Sequence, residues 1–308
     1  MRELMALQFV SGSLAACGAV TITNPFDMLK TRRQLHNELG ILSGKGHLKT
    51  IRLLDVWQKE GLRGLQKGLL PAYVYQILMN GTRFTLYERI RHFFIAHPAL
   101  SCLHKDSRTV LSNAGAGAIA GGVAATIGTP FNLIKTRLQS YSPHFATGVQ
   151  HGYPSTVTAI RKIWAHEGPL GFYRGVSASV LRTTFGSAAQ LSCYEWAKRR
   201  IAALWGCSDE IAGVHLASSM LSGVAACLVM NPFDVVMTRL YNQQHQNAHV
   251  LVYRGLWDCA SKTVRAEGIS ALFKGLVPHF VRIGPHTVLT LVLLEQFRTL
   301  FRPVFIPQ

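Results

Sequence analysis

The sequence predicts an all-α membrane protein made of three tandem two-helix repeats. Three observations point that way: long uncharged runs, a scarcity of charge, and a motif set that returns about every 100 residues. Of 308 residues, 48% are hydrophobic and only 15% are charged. Soluble globular chains carry about 25% charged residues. Mean hydropathy is positive, at +0.18. Residues 4–26, 109–134 and 211–233 contain no Asp, Glu, Lys or Arg. Each run has roughly the 20 residues needed to cross about 30 Å of hydrocarbon.

The formal net charge of +17 suits anionic lipid headgroups outside the spans and anionic solutes in a cavity between them. Nucleic-acid binding is disfavoured, because the basic residues are scattered between apolar spans rather than gathered on one soluble face. The six cysteines show no CxxC or zinc-type spacing, so neither a disulfide framework nor a metal site is expected. Only Arg2 and Glu3 precede the first apolar run, and no cleavable targeting segment is expected.

The repeats divide the chain at 1–100, 101–206 and 207–308. Pro25-Phe26-Asp27-Met28-Leu29-Lys30-Thr31-Arg32 recurs as Pro130-Phe131-Asn132-Leu133-Ile134-Lys135-Thr136-Arg137. It returns again as Pro232-Phe233-Asp234-Val235-Val236-Met237-Thr238-Arg239. Glu60-Gly61 leads to Lys67-Gly68, Glu167-Gly168 to Arg174-Gly175, and Glu267-Gly268 to Lys274-Gly275, at one spacing. Tyr87-Glu88 with Arg91, Tyr194-Glu195 with Lys198, and Leu294-Glu295 with Arg298 close the repeats. Within each repeat an uncharged helix ends at the proline motif, and a polar segment, a short amphipathic stretch and a second apolar helix follow. Proline inside a helix frees a carbonyl and kinks the axis, which neighbouring helices of a bundle tolerate. Gly12, Gly115, Gly117, Gly121 and Gly122 fall within the first helices. No strand precedes them, so they read as packing glycines rather than a dinucleotide loop.

Asp27 and Lys30 stand three apart on one helix face, with Gln34 near the same stripe. A local ion pair there is worth only a few tenths of a kcal/mol. Charges at the end of a membrane helix, however, usually face a bundle interior or a water-filled cavity.

In triplicate and in order, these signatures resemble the mitochondrial carrier family over nearly the whole chain. The resemblance implies six tilted transmembrane helices with pseudo-threefold symmetry, short matrix-side helices, a monomer and a multi-pass place in the mitochondrial inner membrane. It also implies transport of small anionic metabolites by alternating access between two salt-bridge gates. The matrix gate would join Asp27 to Lys135, Asn132 to Met237 and Asp234 to Lys30, with Gln34 and Gln139 as braces and Tyr241 at the third such position. Asn132 and Met237 depart from the family's acid and base on the same link, so the loss is concerted. A single loss would strand a charge at a cost of several kcal/mol. The cytoplasmic gate would join Glu88 to Lys198, Glu195 to Arg298 and Glu295 to Arg91, braced by Tyr87 and Tyr194. With three charged links against two, a bias toward cytoplasmic closure is expected.

Thirteen residues before the three cytoplasmic-gate acids stand Tyr75, Arg182 and Arg282. That is roughly 20 Å along a helix, near mid-membrane, where charge is costly and functional. Their inward orientation rests on the resemblance, which makes this register the substrate contact and adds Gln76, Asn80, Arg83 and Thr183. The stretch from Arg282 to Thr290 resembles the sixth helix of dicarboxylate, oxoglutarate and uncoupling-type carriers, while Tyr75 and Gln76 look more like oxaloacetate-type members. Arg182 and Arg282 suit two carboxylates, since guanidinium pairs with each in fork geometry. The expected cargo is a dicarboxylate or keto-dicarboxylate such as oxaloacetate, malate or malonate, or sulfate. An uncoupling-type transporter of protons or fatty-acid anions is the alternative. No Asp or Glu shares the level of the two arginines, which argues against amino-acid cargo, and His286 reads as structural. No enzyme motif is present. The resemblance also implies cardiolipin at Gly68, Gly175, Gly275 and Gly255, and helix N-termini readily offer amides to phosphate.

Overall fold

The computed structural model describes residues 2–36, 38, 51–96, 105–145, 147–206, 211–243 and 252–305. Within them every regular element is helical. Repeat one supplies α1 (Arg2–Gln34), α2 (Leu53–Leu65) and α3 (Leu69–Ala96). Repeat two supplies α4 (Lys105–Ser140), α5 (Thr156–Gly171) and α6 (Val176–Trp205). Repeat three supplies α7 (Ala212–Asn242), α8 (Leu256–Glu267), a 3-10 turn (Ile269–Phe273) and α9 (Leu276–Phe305).

The six long helices close into a ring. Helix α1 packs on α3 and α9, α4 on α3 and α6, and α7 on α6 and α9. Large apolar side chains face outward along the ring, among them Leu14, Ile22, Ile119, Ile127, Leu216, Leu228, Val288 and Leu291. Small residues such as Ala15, Ala19, Ala120 and Ala124 are buried at helix contacts, which lets the backbones approach closely. Three stretches, Ser112–Ser140, Gly213–Asn242 and Ile269–Phe301, are long and apolar enough to cross a membrane by length and composition alone. The uncharged run at 4–26 lies within the 33 residues of α1.

Pro25, Pro130 and Pro232 lie inside α1, α4 and α7. In α1 the carbonyl that Pro25 leaves without its helical donor, that of Thr21, accepts from Gln66 Nε2 at 3.0 Å. The residue before the proline ties the kink down as well. Asn24 Nδ2 donates to Leu65 O and Lys67 O at 3.1 and 3.3 Å. Asn231 Nδ2 does the same to Leu272 O and Lys274 O at 2.9 and 3.4 Å.

The last basic residue of each proline motif is fully buried: Arg32, Arg137 and Arg239. Arg32 grips both oxygens of Glu60 at 2.8 and 2.9 Å, while its Nε and Nη2 donate to Gln139 O and Tyr141 O of the next repeat. Arg137 repeats the pattern with Glu167 and with Tyr241 O and Gln243 O. Arg239 holds Glu267, and Lys274 Nζ reaches His36 O at 3.0 Å. Each repeat is thus pinned to the next by buried charge-assisted hydrogen bonds, which are about twice as strong as neutral ones.

Glu38, buried beyond the end of α1, lies beside Arg239, Tyr253, Asn242 and Glu267. Burial outweighs the attraction of Arg239 and pushes its carboxyl up to about 7. A raised carboxyl favours folding while protonated. Its contribution is full below the ordinary carboxylate range, at about pH 4.5, and is lost as pH rises through about 7. In detergent, Glu38→Gln is therefore expected to melt with the parent at about pH 4.5 and above it by about pH 7.5. Melting temperatures of the two proteins across that range check this; a constant gap would sink it.

Candidate functional site

The kinked ends of α1, α4 and α7 converge at one end of the ring. Lys135 Nζ donates to Asp27 Oδ2 at 2.8 Å, and Lys30 Nζ donates to Asp234 Oδ2 at 2.8 Å. Between α4 and α7, Asn132 Nδ2 lies 4.0 Å from Met237 Sδ. The structure therefore brings together all three residue pairs that the motif alignment matches, the neutral one included. The glutamines reach threonines rather than the ion pairs. Thr238 Oγ1 donates to Gln34 Oε1 at 2.8 Å. Thr31 Oγ1 donates to Gln139 Oε1 at 3.0 Å, and Gln139 Nε2 donates onward to Asn24 Oδ1. Tyr241 is fully buried beside Asn132.

Two cations from mid-helix join this ring. Arg282 sets its Nε 3.0 Å from Asp27 Oδ1 and donates from Nη1 to Oδ2 at 3.1 Å. Arg182 Nε donates to Asp234 Oδ1. Each carboxylate is thus shared between a lysine and an arginine. Buried His279 adds its Nδ1 at 3.4 Å from Asp234 Oδ2. It went unremarked in the sequence, although it precedes Arg282 by three positions and so shares a helix face with it.

Above the ring lies a cavity of about 250 Å³ whose lining includes Tyr75, Gln76, Asn80, Arg83, Arg182 and Arg282. The Tyr75 ring lies against Gly128 of α4, where an added Cβ would come within 2.8 Å of it. Thr183 is a correction. It is buried, donates to Ser179 O at 2.9 Å and turns its methyl toward Gly121 of α4. One residue beyond Arg182 is a rotation of about 100°, enough to move it from the cavity to a helix contact.

The opposite end differs from the expectation. Among the described residues, no ion pair joins Glu88 to Lys198, Glu195 to Arg298 or Glu295 to Arg91. Arg91 stands 3.6 Å from Glu88 on its own helix and donates from Nε to Asn113 Oδ1 at 2.8 Å. Tyr194 OH pairs with His215 Nδ1 at 2.6 Å. A vestibule of about 760 Å³, lined in part by Tyr87, Tyr194 and Gln190, opens there. The structure is open at this end and closed at the other. Counting motif charges missed the two arginines that double the ion pairing at the closed end.

Gly68 (φ 73°) and Gly275 (φ 80°) adopt left-handed backbone. A Cβ on Gly68 would stand 3.0 Å from Lys135 O, and one on Gly275 3.2 Å from Lys30 O. Glycine is required there by the close passage of the neighbouring repeat, in addition to any lipid. Gly175 (φ 74°) meets Leu240 and Tyr241 in the same way. Gly255 is extended (φ 176°) and a side chain there would meet nothing. A surface recess of about 360 Å³ joins Lys67, Gly68 and Leu69 at the start of α3 to Pro154, Ser155 and Thr156 at the start of α5. No metal-binding cluster occurs among the described residues.

A ring of six long helices, kinked and ion-paired at one end around a cationic cavity, is the architecture of a solute carrier. The chain belongs to the family described as Mitochondrial carrier protein, matching over residues 2–98, 106–203 and 209–304. It is 42% identical to the mitochondrial citrate transporter E of Aspergillus niger over 301 residues, covering 96% of this chain and 93% of the relative. It is 43% identical to the mitochondrial oxaloacetate transport protein of Schizosaccharomyces pombe over 300 residues, covering 95% and 90%. Identity to the human solute carrier family 25 member 35 is 35%, covering 96% and 98%. Family and relatives are transporters, and the all-α six-span fold goes with membership.

The neutral link lends itself to a double-mutant cycle. Met237→Lys places an ammonium against an amide, and Asn132→Asp a carboxylate against a thioether, so each alone is expected to lower stability. The double variant is expected to recover, with a coupling of about 1–3 kcal/mol. Thermal stability of the four proteins reads it; simple additivity would mean that the two side chains do not interact.

Proposed function

We propose that this chain moves small dianions across the mitochondrial inner membrane by alternating access. The cargo class is the dicarboxylates and keto-dicarboxylates of the oxaloacetate, malate and malonate kind, with sulfate as their inorganic counterpart. One observation carries the reading. At the cavity floor two carboxylates, Asp27 and Asp234, face four cations, Lys30, Lys135, Arg182 and Arg282. A dianion balances the two surplus charges. A relative named as an oxaloacetate transporter carries cargo of this kind, while the one named as a citrate transporter carries a tricarboxylate.

The geometry supplies a mechanism. Arg182 and Arg282 rest on the acids of the closed ring, which by the family's orientation is the matrix gate. A carboxylate of the substrate offers each guanidinium an alternative fork partner. As the arginines transfer to substrate, each ring acid keeps only its lysine, and half of the ion pairs that close the gate are gone. Binding energy is thereby spent on opening. Tyr75, Gln76 and Asn80 complete the contact surface with hydrogen-bonding groups, and the residues of the other end, Glu88, Glu195 and Glu295 with Lys198, Arg298 and Arg91, close behind the substrate once the helices tilt. The protein acts as a monomer in this scheme, since one ring encloses the whole path.

Arg182→Gln and Arg282→Gln are each expected to abolish uptake of labelled malonate into proteoliposomes, with the protein still folded and retained in the membrane. Normal uptake by either variant overturns the site. A proton leak without solute exchange, in the same vesicles, would favour the uncoupling-type alternative.

Cardiolipin is proposed for the recess at Gly68, Ser155 and Thr156 and for the related Gly175, Gly255 and Gly275 positions. Backbone amides at two converging helix starts suit a phosphate. Added cardiolipin is expected to raise the melting temperature in detergent, and a large residue at Ser155 to reduce that rise. Because Gly68, Gly175 and Gly275 are needed for packing, their replacement tests the fold and not the lipid. An undiminished rise in Ser155→Trp would count against this recess.

A further inference from the structure

The segment between α4 and α5 reaches both other repeats at the closed end, through its described residues 141–145 and 147–151. On the repeat-one side Ser142 Oγ donates to Glu60 Oε1 at 2.6 Å. Phe145 packs on the apolar cluster of Met28, Leu29 and Val56, with Lys59 Nζ 4.9 Å from its ring centre. On the repeat-three side the segment meets Asn242, the last residue of α7. The Asn242 amide accepts from Val149 N at 2.7 Å and donates to Val149 O at 3.3 Å. Its backbone carbonyl lies 2.8 Å from His151 Nε2. Gly148 (φ 53°) passes so close that an added Cβ would overlap the Asn242 amide and stand 3.0 Å from Glu38 Oε2.

A second set of bonds shapes the segment from within. Fully buried Thr147 donates from Oγ1 to Ser140 O at 2.7 Å. Gln150 Nε2 donates to Thr147 O at 2.6 Å, and Ser142 N donates to Gln150 Oε1 at 2.8 Å. These bonds stay inside repeat two, whereas those to Glu60 and Asn242 leave it. The segment can therefore let go of its neighbours as a unit, by a local opening that leaves its own turns intact.

The ring supplies the reason for such a part. Of its three links, the one between α4 and α7 is neutral. The segment leaves the end of α4 and clasps the end of α7, adding to the hold of Arg137 on Tyr241 O. We propose that it is a strap, which ties the ends of α4 and α7 to repeat one and lifts off Asn242 and the Phe145 cluster each time the closed end opens. The proposal rests on the alternating-access reading above. Neither Phe145 nor Asn242 lines the cavity, so the strap opposes opening without competing for the anion.

Chymotrypsin cleavage after Phe145 reads the strap directly, because a ring seated on the cluster resists the protease until the segment lifts away. In the full chain in detergent, saturating malonate is expected to speed cleavage there about tenfold, since cleavage follows the population of the released form. Asn242→Ala is expected to speed it about as much with no malonate present. In proteoliposomes, Phe145→Ala is expected to raise kcat for malonate exchange about twofold with little change in KM, since opening steps set many turnover rates. Cleavage indifferent to malonate overturns the proposal, and that measurement needs no variant. So does a kcat at or below the parent's in folded Phe145→Ala. If the parent takes up no labelled malonate, the dianion reading falls instead. The Asn242→Ala measurement, which needs no ligand, then still decides the strap, and parent-like cleavage overturns it.

Discussion

Asp27 and Asp234 each bind two cations, and the closed end of the bundle depends on that sharing. A buried carboxylate with one partner is stranded when the partner leaves, at a cost of several kcal/mol. With a lysine from the neighbouring repeat and an arginine from mid-helix, each acid loses one partner and remains paired. The arrangement joins the helix ends, and in the function proposed above it also leaves guanidinium groups available for exchange. A carrier needs both properties from the same atoms, because a closed end that binds its own cations too tightly would ignore the substrate.

Beneath the ring, a second tier of buried charge keeps the repeats in register. Arg32 and Arg137 each join an acid of their own repeat to carbonyl oxygens of the next. The third seam is made differently, by Lys274 on His36 O, and it is there that Glu38 is buried next to Arg239 and Glu267. Gly68 and Gly275 allow the helix ends of neighbouring repeats to pass at backbone contact. The position of the ring residues is thus set by groups outside the ring.

Much of this was legible in the sequence because the repeats supply an internal ruler. Three copies of one motif locate three equivalent helix ends, and the paired departures at Asn132 and Met237 marked a contact that the structure closes. The resting partners of Arg182 and Arg282 were not legible. Thirteen helical steps leave the angular position of a side chain undetermined, and nothing in a motif count says that an arginine from mid-helix will reach a ring acid. The same angular ambiguity placed Thr183 in the cavity when it packs on α4. Proline motifs announced the kinks, but the amide that rescues the freed Thr21 carbonyl comes from Gln66, far along the chain. Among the described residues the pairs foreseen at the other end are not formed, and a vestibule lies open there instead. A sequence lists the contacts of both states without saying which is occupied.

The Asn132–Met237 contact gives the ring a mechanical asymmetry. Three equal ionic links resist separation equally, so such a ring yields everywhere together, as an iris does. Here the ring's own link between α4 and α7 is an amide against a thioether, and the charged hold on the same two helices lies a tier lower, where Arg137 donates to Tyr241 O. Within the ring it is the one link of the three that parts without breaking an ion pair, with Lys135–Asp27 and Lys30–Asp234 on either side of it.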